Sequence, residues 1–314
     1  MDLFGHTFNT PVLLIVFNRP DLTQQVLAIL KENRVNNLYI AFDAPRNKSQ
    51  EEVIACAAVQ EMVYGVDWAK NIQILSRSTN LGCGHSISQA IDWFFTHVEE
   101  GIILEDDCLP SSSFFRFTQR GLKDFRDDKS VWQIDGSNFN PCHTKNLYGF
   151  SSFPLIWGWA TWKDRWNAYR FNFTPQEAND IIINQFNNIL IKAFWLNRIE
   201  DFYSNAVDTW DYQWMLTIWK HNGKVVRPPV NLVQNDGFSS RSTHFEVNRY
   251  NHLSKKAIDF NVEEYSPKTI AEYNFELDEL QFRGRFMKGS KLYSFLFFVN
   301  DNFIKTIRRA IRFN

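Results

Sequence analysis

Gly101-Ile102-Ile103-Leu104-Glu105-Asp106-Asp107-Cys108-Leu109-Pro110 is an apolar run that stops at three consecutive acids and a nearby proline. The run predicts a buried strand that ends at the acids. Three adjacent carboxylates repel one another, and nothing in a soluble core is expected to neutralise them. A bound divalent cation would, and oxygen ligands suit magnesium or manganese. Such a cation in turn suits a phosphate-bearing ligand. The other reading is a solvated acidic turn, the usual fate of a charge run. On this stretch alone both readings stay open.

Upstream, Pro11-Val12-Leu13-Leu14-Ile15-Val16-Phe17 is continuously apolar and is broken by Asn18-Arg19-Pro20-Asp21. A helical pattern follows from Leu22 to about Arg34. A fully apolar strand followed by a helix is the start of a parallel α/β sheet. Leu38–Phe42 is the next strand, ending at Asp43. Gln50–Tyr64 reads as a helix, Ile72–Leu75 as a strand and His85–His97 as a helix. Ligands bind such sheets at the carboxyl ends of the strands. Asn18, Arg19, Asp43 and Glu105–Asp107 all fall at those ends, which favours the functional reading of the acids.

Downstream, Ser112–Arg126 reads as a helix and Val131–Ile134 as a strand. Residues 136–175 are rich in Gly, Ser, Asn and Trp, as in a binding region built on loops. Gln176–Phe202 reads as one helical stretch. Trp210–His221 reads as a helix with Asp208 or Thr209 as its cap, and Lys224–Val226 as a short strand. Residues 235–256 are polar and read as a mobile loop, with Phe238–His244 as a lid whose Arg241 or His244 touches a diphosphate. Near the C-terminus, Ile304, Ile307 and Ile311 share one helical face opposite basic residues, which suits contact with an anionic membrane.

The chain has 314 residues, of which 44% are hydrophobic, enough for a sizeable core. A net charge of −1 gives no electrostatic case for nucleic-acid binding. Aromatic content is 16%, with eleven Trp, which suits cores and also sites for ring-shaped ligands. Cys56, Cys83, Cys108 and Cys142 form no metal-ligand pattern, so reduced cysteines are expected. Neither a signal peptide nor a run long enough to span a membrane is visible.

Four segments carry a family resemblance: Pro11–Arg19; Ile102–Asp107 followed by Phe114-Phe115; Trp157-Gly158-Trp159-Ala160-Thr161-Trp162; and Trp210-Asp211-Tyr212-Gln213-Trp214-Met215 followed by Gly223–Pro229. In that order they resemble metal-dependent glycosyltransferases of the nucleotide-diphospho-sugar transferase A-type (GT-A) fold, and within these the N-acetylglucosaminyltransferase I-like group. The likeness spans about residues 11–245. It implies an α/β fold, a Rossmann-like, mixed and mostly parallel sheet flanked by helices, with a C-terminal helical extension. The implied domain covers residues 1–250, with a donor half to about 135 and an acceptor half from 136, and the extension covers 251–314.

The resemblance further implies that Asp107 binds a divalent metal, Mn2+ or Mg2+, held by the donor's diphosphate. Asp106 then contacts the ribose or sugar, and Glu105 supports the nucleotide sugar. Asn18 and Arg19 line the nucleotide site, Asp43 reads a uracil edge, and His85 lies near the nucleotide. Trp157, Trp159 and Trp162 either stack on the ligand or belong to the core. The family's base motif has one residue fewer than this segment. Alignment on Trp214-Met215 puts Gln213 in the base position, whereas alignment on Trp210 leaves Asp211, the expected base, with Asp208 in reserve. The expected partners are a nucleotide-diphosphate sugar, UDP-linked by preference, and a glycan or lipid-linked glycan acceptor of bacterial surface synthesis. The expected location is cytoplasmic, peripheral on the inner face of the plasma membrane. One rival is a sugar nucleotidyltransferase, which normally carries a Gly-rich loop where this chain has Phe17-Asn18-Arg19-Pro20. The other is a non-catalytic nucleotide-sugar or glycan-binding module.

Overall fold

The computed structural model describes residues 8–46, 49–139, 149–237, 255–264, 278–279 and 282–287. The lid at 238–244, the basic helix at 304–313 and Cys142 lie outside them. The chain opens with β1 (Val12–Val16), α1 (Pro20–Glu32), β2 (Asn37–Phe42), α2 (Gln50–Tyr64), β3 (Asn71–Ser76), α3 (Gly82–His97) and β4 (Glu100–Glu105). It continues through β5 (Cys108–Pro110), α4 (Ser112–Asp124), β6 (Val131–Asp135), β7 (Gly149–Ser151), β8 (Trp159–Trp162) and the short α5 (Lys163–Trp166). Helices α6 (Pro175–Gln185), α7 (Ile189–Ser204) and α8 (Asp211–Lys220) follow, then β9 (Lys224–Arg227) and β10 (Val233–Asn235).

Eight strands form one mixed, mostly parallel sheet in the order β3-β2-β1-β4-β8-β6-β9-β7. The β1–β2, β2–β3, β1–β4 and β6–β9 pairs are parallel, and β8 runs antiparallel between β4 and β6. The position of β1 explains its sequence. It lies between β2 and β4 with both faces covered, so all five residues are buried and apolar. Strand β3 is at the edge and its residues stay partly exposed. Period-two alternation divides the core into two layers. Leu13, Ile15, Ile103 and Trp159 face a layer packed by α3, α7 and α8. Val12, Leu14, Leu104 and Ala160 face α1, α2 and α4.

The expected single helix at 176–202 is two helices. The break at Asn188 is a cap, its side chain accepting the backbone N–H of Leu190 at 2.9 Å and of Ile191 at 3.4 Å. Helix α6 begins with a capping box, the Thr174 hydroxyl and Glu177 carboxylate each accepting a backbone N–H of the other residue. Residues 255–261 are not helical. They run back along α4, where Asp259 accepts from the Ser113 N–H and hydroxyl, both at 2.8 Å. Farther on, Asp278 accepts from the Ser151 hydroxyl and the Ser152 N–H, and Phe282 is fully buried against Phe153 and Phe194. No described helix is long and apolar enough to cross a membrane.

Candidate active site

A cavity of about 670 Å³ opens at the carboxyl ends of β1, β2 and β4. Its first wall is built by the parallel strands. Asn18 and Arg19 follow β1, Asp43 follows β2, and Glu105 ends β4 with Asp106 and Asp107 just beyond, and all six line the cavity. Parallel pairing of β1 with β4 sets Ile15 opposite Glu105, so the two strands end level.

The acids are not left to a cation alone, contrary to the sequence-based expectation. The Arg19 guanidinium donates to Asp107 at 2.8 Å and lies 3.3 Å from Asp106. The Phe17 N–H donates to the other oxygen of Asp106 at 3.2 Å. Burial works against the Arg19 charge, but Asp106 and Asp107 outweigh it and raise its pKa. One guanidinium does not neutralise three carboxyls. Burial, followed by repulsion from Asp107 and Asp106, pushes Glu105 well up. Burial also lifts Asp106 to about 7, against the pull of Arg19.

Asp107 is held from the far side too. Strand β10 pairs antiparallel with β5, bringing Asn235 opposite Cys108, and Asn235 donates to Asp107 at 3.1 Å. Gly237 then passes so close that a Cβ there would lie 2.2 Å from the Asp107 carboxylate. This Asn-Asp-Gly turn went unread in the sequence, where its composition is that of any surface loop. Asp43 has both oxygens engaged, accepting the Ala44 N–H at 3.0 Å and the Leu81 N–H at 2.8 Å.

The second wall is aromatic. Phe194 and Trp195 of α7, Tyr212 of α8, Phe139, Trp157, Arg198, Arg285 and Phe286 line it together with Asp211. Asp211 is the first residue of α8. Its Oδ1 accepts from the Thr209 hydroxyl and from the Tyr212 N–H at 2.9 Å. Burial raises its pKa, while these hydrogen bonds and the nearby Arg285 charge oppose the rise. Its own charge registers at Glu105, so the two walls share one electrostatic site. Gln213, the competing candidate, is buried outside the cavity lining and donates to the Thr209 carbonyl at 3.1 Å.

Two sequence-derived expectations fail here, and the open reading of Trp159 falls to the core. Trp159 is fully buried in the core, stacked on Trp210 with ring centres 5.7 Å apart, and does not line the cavity. Of the three indoles of that motif, the one at the wall is Trp157. His85 is exposed on α3, stacked on Phe171 at 3.9 Å, and is likewise off the cavity lining. Asp208 is a cap, but of α3 rather than α8. It accepts the N–H groups of Cys83 at 2.7 Å and Gly84 at 2.8 Å. Gly82 has φ +77°, and a Cβ at Gly82 or Gly84 would meet the Asp208 carboxylate at 2.4 or 2.8 Å, so only glycine lets that carboxylate seat. Cys56, Cys83 and Cys108 are free thiols. Burial pushes Cys83 up to about 12, so its thiol stays protonated.

The acid cluster has the donor chemistry of a hard divalent cation: oxygen ligands and more negative charge than Arg19 offsets. No three ligating side chains converge among the described residues. A bound ion would therefore take its remaining ligands from a bound phosphate, the usual arrangement for magnesium.

No family model matches the chain, and no curated protein does. One solved structure it resembles is a glucose-1-phosphate thymidylyltransferase from Bacillus anthracis in complex with a sucrose. Identity is 10%, with 82% of this chain and 98% of that one covered, at a TM-score of 0.34. At that level the overlap decides neither fold nor function.

Proposed function

We propose that this chain is a metal-dependent, inverting glycosyltransferase that moves a sugar from a nucleoside diphosphate, UDP by preference, to an acceptor hydroxyl. The observation that carries the reading is the shared cavity. The acid cluster at the strand ends and Asp211, a carboxylate with a raised pKa, open onto one space large enough for a nucleotide sugar. The first wall suits the donor, with Asn18 and Asp43 on the nucleotide and Arg19 beside the diphosphate.

Asp107 is the residue assigned to the metal, Mn2+ or Mg2+, with Asn235 holding it in place. When bound, that ion supplies electrostatic stabilisation to the leaving diphosphate. The chain's own part is the proton. Asp211 takes it from the acceptor hydroxyl as the oxygen forms its bond to the anomeric carbon. The bond from that carbon to the diphosphate oxygen breaks, and its electron pair leaves with the nucleoside diphosphate. A raised pKa makes Asp211 the better base, since the proton it accepts is held more firmly.

The deciding experiment is calorimetric titration of UDP, with GDP beside it, with and without manganese, on wild type, Asp107→Ala and Asp211→Asn. Manganese-dependent binding is expected in wild type, absent in Asp107→Ala and kept in Asp211→Asn. In the last, sugar transfer or donor hydrolysis falls by about 10²- to 10⁴-fold. No nucleotide binding under any metal would overturn the proposal. Nucleotide release from UDP-sugar that needs pyrophosphate would instead favour the nucleotidyltransferase.

A further inference from the structure

The chain that leads into Asp211 is pinned residue by residue. Asp208 is held on the N-terminus of α3 by the N–H groups of Cys83 and Gly84. The Thr209 carbonyl accepts from Gln213 at 3.1 Å. Trp210 stacks on Trp159 in the core, and its carbonyl accepts from the Tyr169 hydroxyl at 3.2 Å. Thr209 lines the cavity together with Asp211, and its hydroxyl donates to Asp211 Oδ1. With the backbone fixed on both sides, the β-branch of threonine leaves that hydroxyl few rotamers.

The hydroxyl matters because of where Asp211 sits. Burial favours the neutral acid, and a raised pKa strengthens a base only while its carboxylate stays ionised. Donors to the charged form oppose burial. The Thr209 hydroxyl is the strongest of them, ahead of the Tyr212 N–H and the Arg285 charge. Glu105 of β4, Cys83 of α3, Tyr169 and Tyr212 also lie within the field of Asp211, and none of them is a cation. The bonds from Thr209 and Tyr212 both end on Oδ1. Resting on the transferase reading above, we propose that Thr209 is the positioning residue of the base: it fixes the carboxylate by Oδ1 and leaves Oδ2 to take the proton of the acceptor hydroxyl. Once protonated at Oδ2, Asp211 still accepts the same bond at Oδ1, so the carboxyl keeps its orientation in both states. Gln213, which holds the Thr209 carbonyl, acts one step further back.

The test reads Asp211 itself before it reads catalysis. The full chain, carrying aspartate labelled with 13C at the carboxyl, is titrated by NMR, and the Asp211 signal is identified by its absence in Asp211→Asn. Thr209→Val removes the donor at nearly constant volume, Thr209→Ala removes it with no added bulk, and Thr209→Ser keeps it. Loss of a donor to the charged form raises a carboxyl pKa, so both donor-free variants should move the Asp211 midpoint up by about one pH unit. Thr209→Ser should stay within about 0.3 of wild type. A Thr209 that only supports the fold would lower the melting temperature and leave this midpoint where it was. The second readout is hydrolysis of UDP-glucose, UDP-galactose and UDP-N-acetylglucosamine with manganese. The base must be ionised to work, so the acidic limb of the kcat profile should move up with the midpoint. At its plateau kcat should fall about tenfold with KM unchanged, because the carboxylate is no longer oriented. An unmoved midpoint in Thr209→Val and Thr209→Ala overturns the proposal. So does Thr209→Ser behaving as they do, or a moved midpoint with kcat unmoved. A moved midpoint in a chain whose wild type turns over none of the three donors sinks the transferase reading and leaves Thr209 as the residue that positions the Asp211 carboxyl.

Discussion

The two walls of the cavity solve one problem, holding charge away from water, in opposite ways. On the strand-end wall, Asp43 and Asp106 are met by backbone N–H groups and Arg19, all from loops that follow parallel strands. On the aromatic wall, Arg285 and Arg198 lie on rings, and Asp211 is held by a hydroxyl and one N–H. The first wall is a by-product of topology, since parallel strands that end level must place their next residues side by side. The second depends on side chains from distant segments packing together. Damage to backbone-held groups should therefore stay local, while damage to the ring-packed region should spread.

The largest effect sharpens that contrast. Trp159→Ala removes an indole from the middle of the core and should cost about 3–5 kcal/mol in urea unfolding. Trp157→Ala, at the cavity wall, should cost clearly less and act on ligand binding instead. Equal losses would break the distinction between core and wall.

Next comes Asp135, buried behind the aromatic wall at the end of β6. Its Oδ2 is 3.8 Å from the Arg227 Nε and takes no hydrogen bond. Burial lifts its pKa to about 7, against Arg227. The folded chain thus keeps this proton to about pH 7, whereas the unfolded chain releases it near 4. Stability is full below about pH 4 and falls as pH rises through about 7, by up to about 4 kcal/mol. Asp135→Asn should flatten that decline in a series of melting temperatures. An unchanged slope would show the carboxylate to be better paired than its surroundings imply.

A smaller effect probes the backbone-held side. Asp208→Ala uncaps α3 and should cost about 1 kcal/mol, with faster amide exchange confined to Cys83 and Gly84. Exchange spreading to Asp211 would show that the cap also positions the proposed base. Smallest of all, His85→Ala should change stability by no more than about 0.5 kcal/mol and leave UDP binding as it was. A lost nucleotide site would return His85 to the pocket.

The strand-end wall was legible because each of its parts is local. The apolar runs at Val12–Val16 and Ile102–Leu104 mark central strands, and Gln50–Tyr64 is flanked by Ser49 and Gly65, which cap the helix at its two ends. The rest was hidden by backbone geometry and distance along the chain. Trp157 and Trp159 are alternate residues of one motif, yet Gly158 between them has φ +65°, which breaks the alternation that would give them one environment. The helical pattern runs unbroken through 176–202, so only the conformation of Asn188 reveals a cap. Asp208 was placed at the helix it precedes, although its amide partners lie 124 and 125 residues earlier. Arg285 has no motif around it, and rings it lies over come from residues 139 and 157.

The indoles also give the molecule an optical property. Trp159, Trp166, Trp210 and Trp214 lie with ring centres 5.0–6.3 Å apart, in a mixture of stacked, tilted and edge-on pairs. Chromophores that close, with fixed mutual angles, share their excited states and imprint a paired positive and negative band on the circular dichroism spectrum. That band reports the packing of side chains rather than the backbone, and it disappears as soon as the rings tumble independently. Trp157 stands apart from this group, under Arg285 at the cavity wall. The chain thus carries two separate reporters of one kind of residue: an excitonic signature for the integrity of the core, and a fluorescence signal from Trp157 and Trp195 for occupancy of the site.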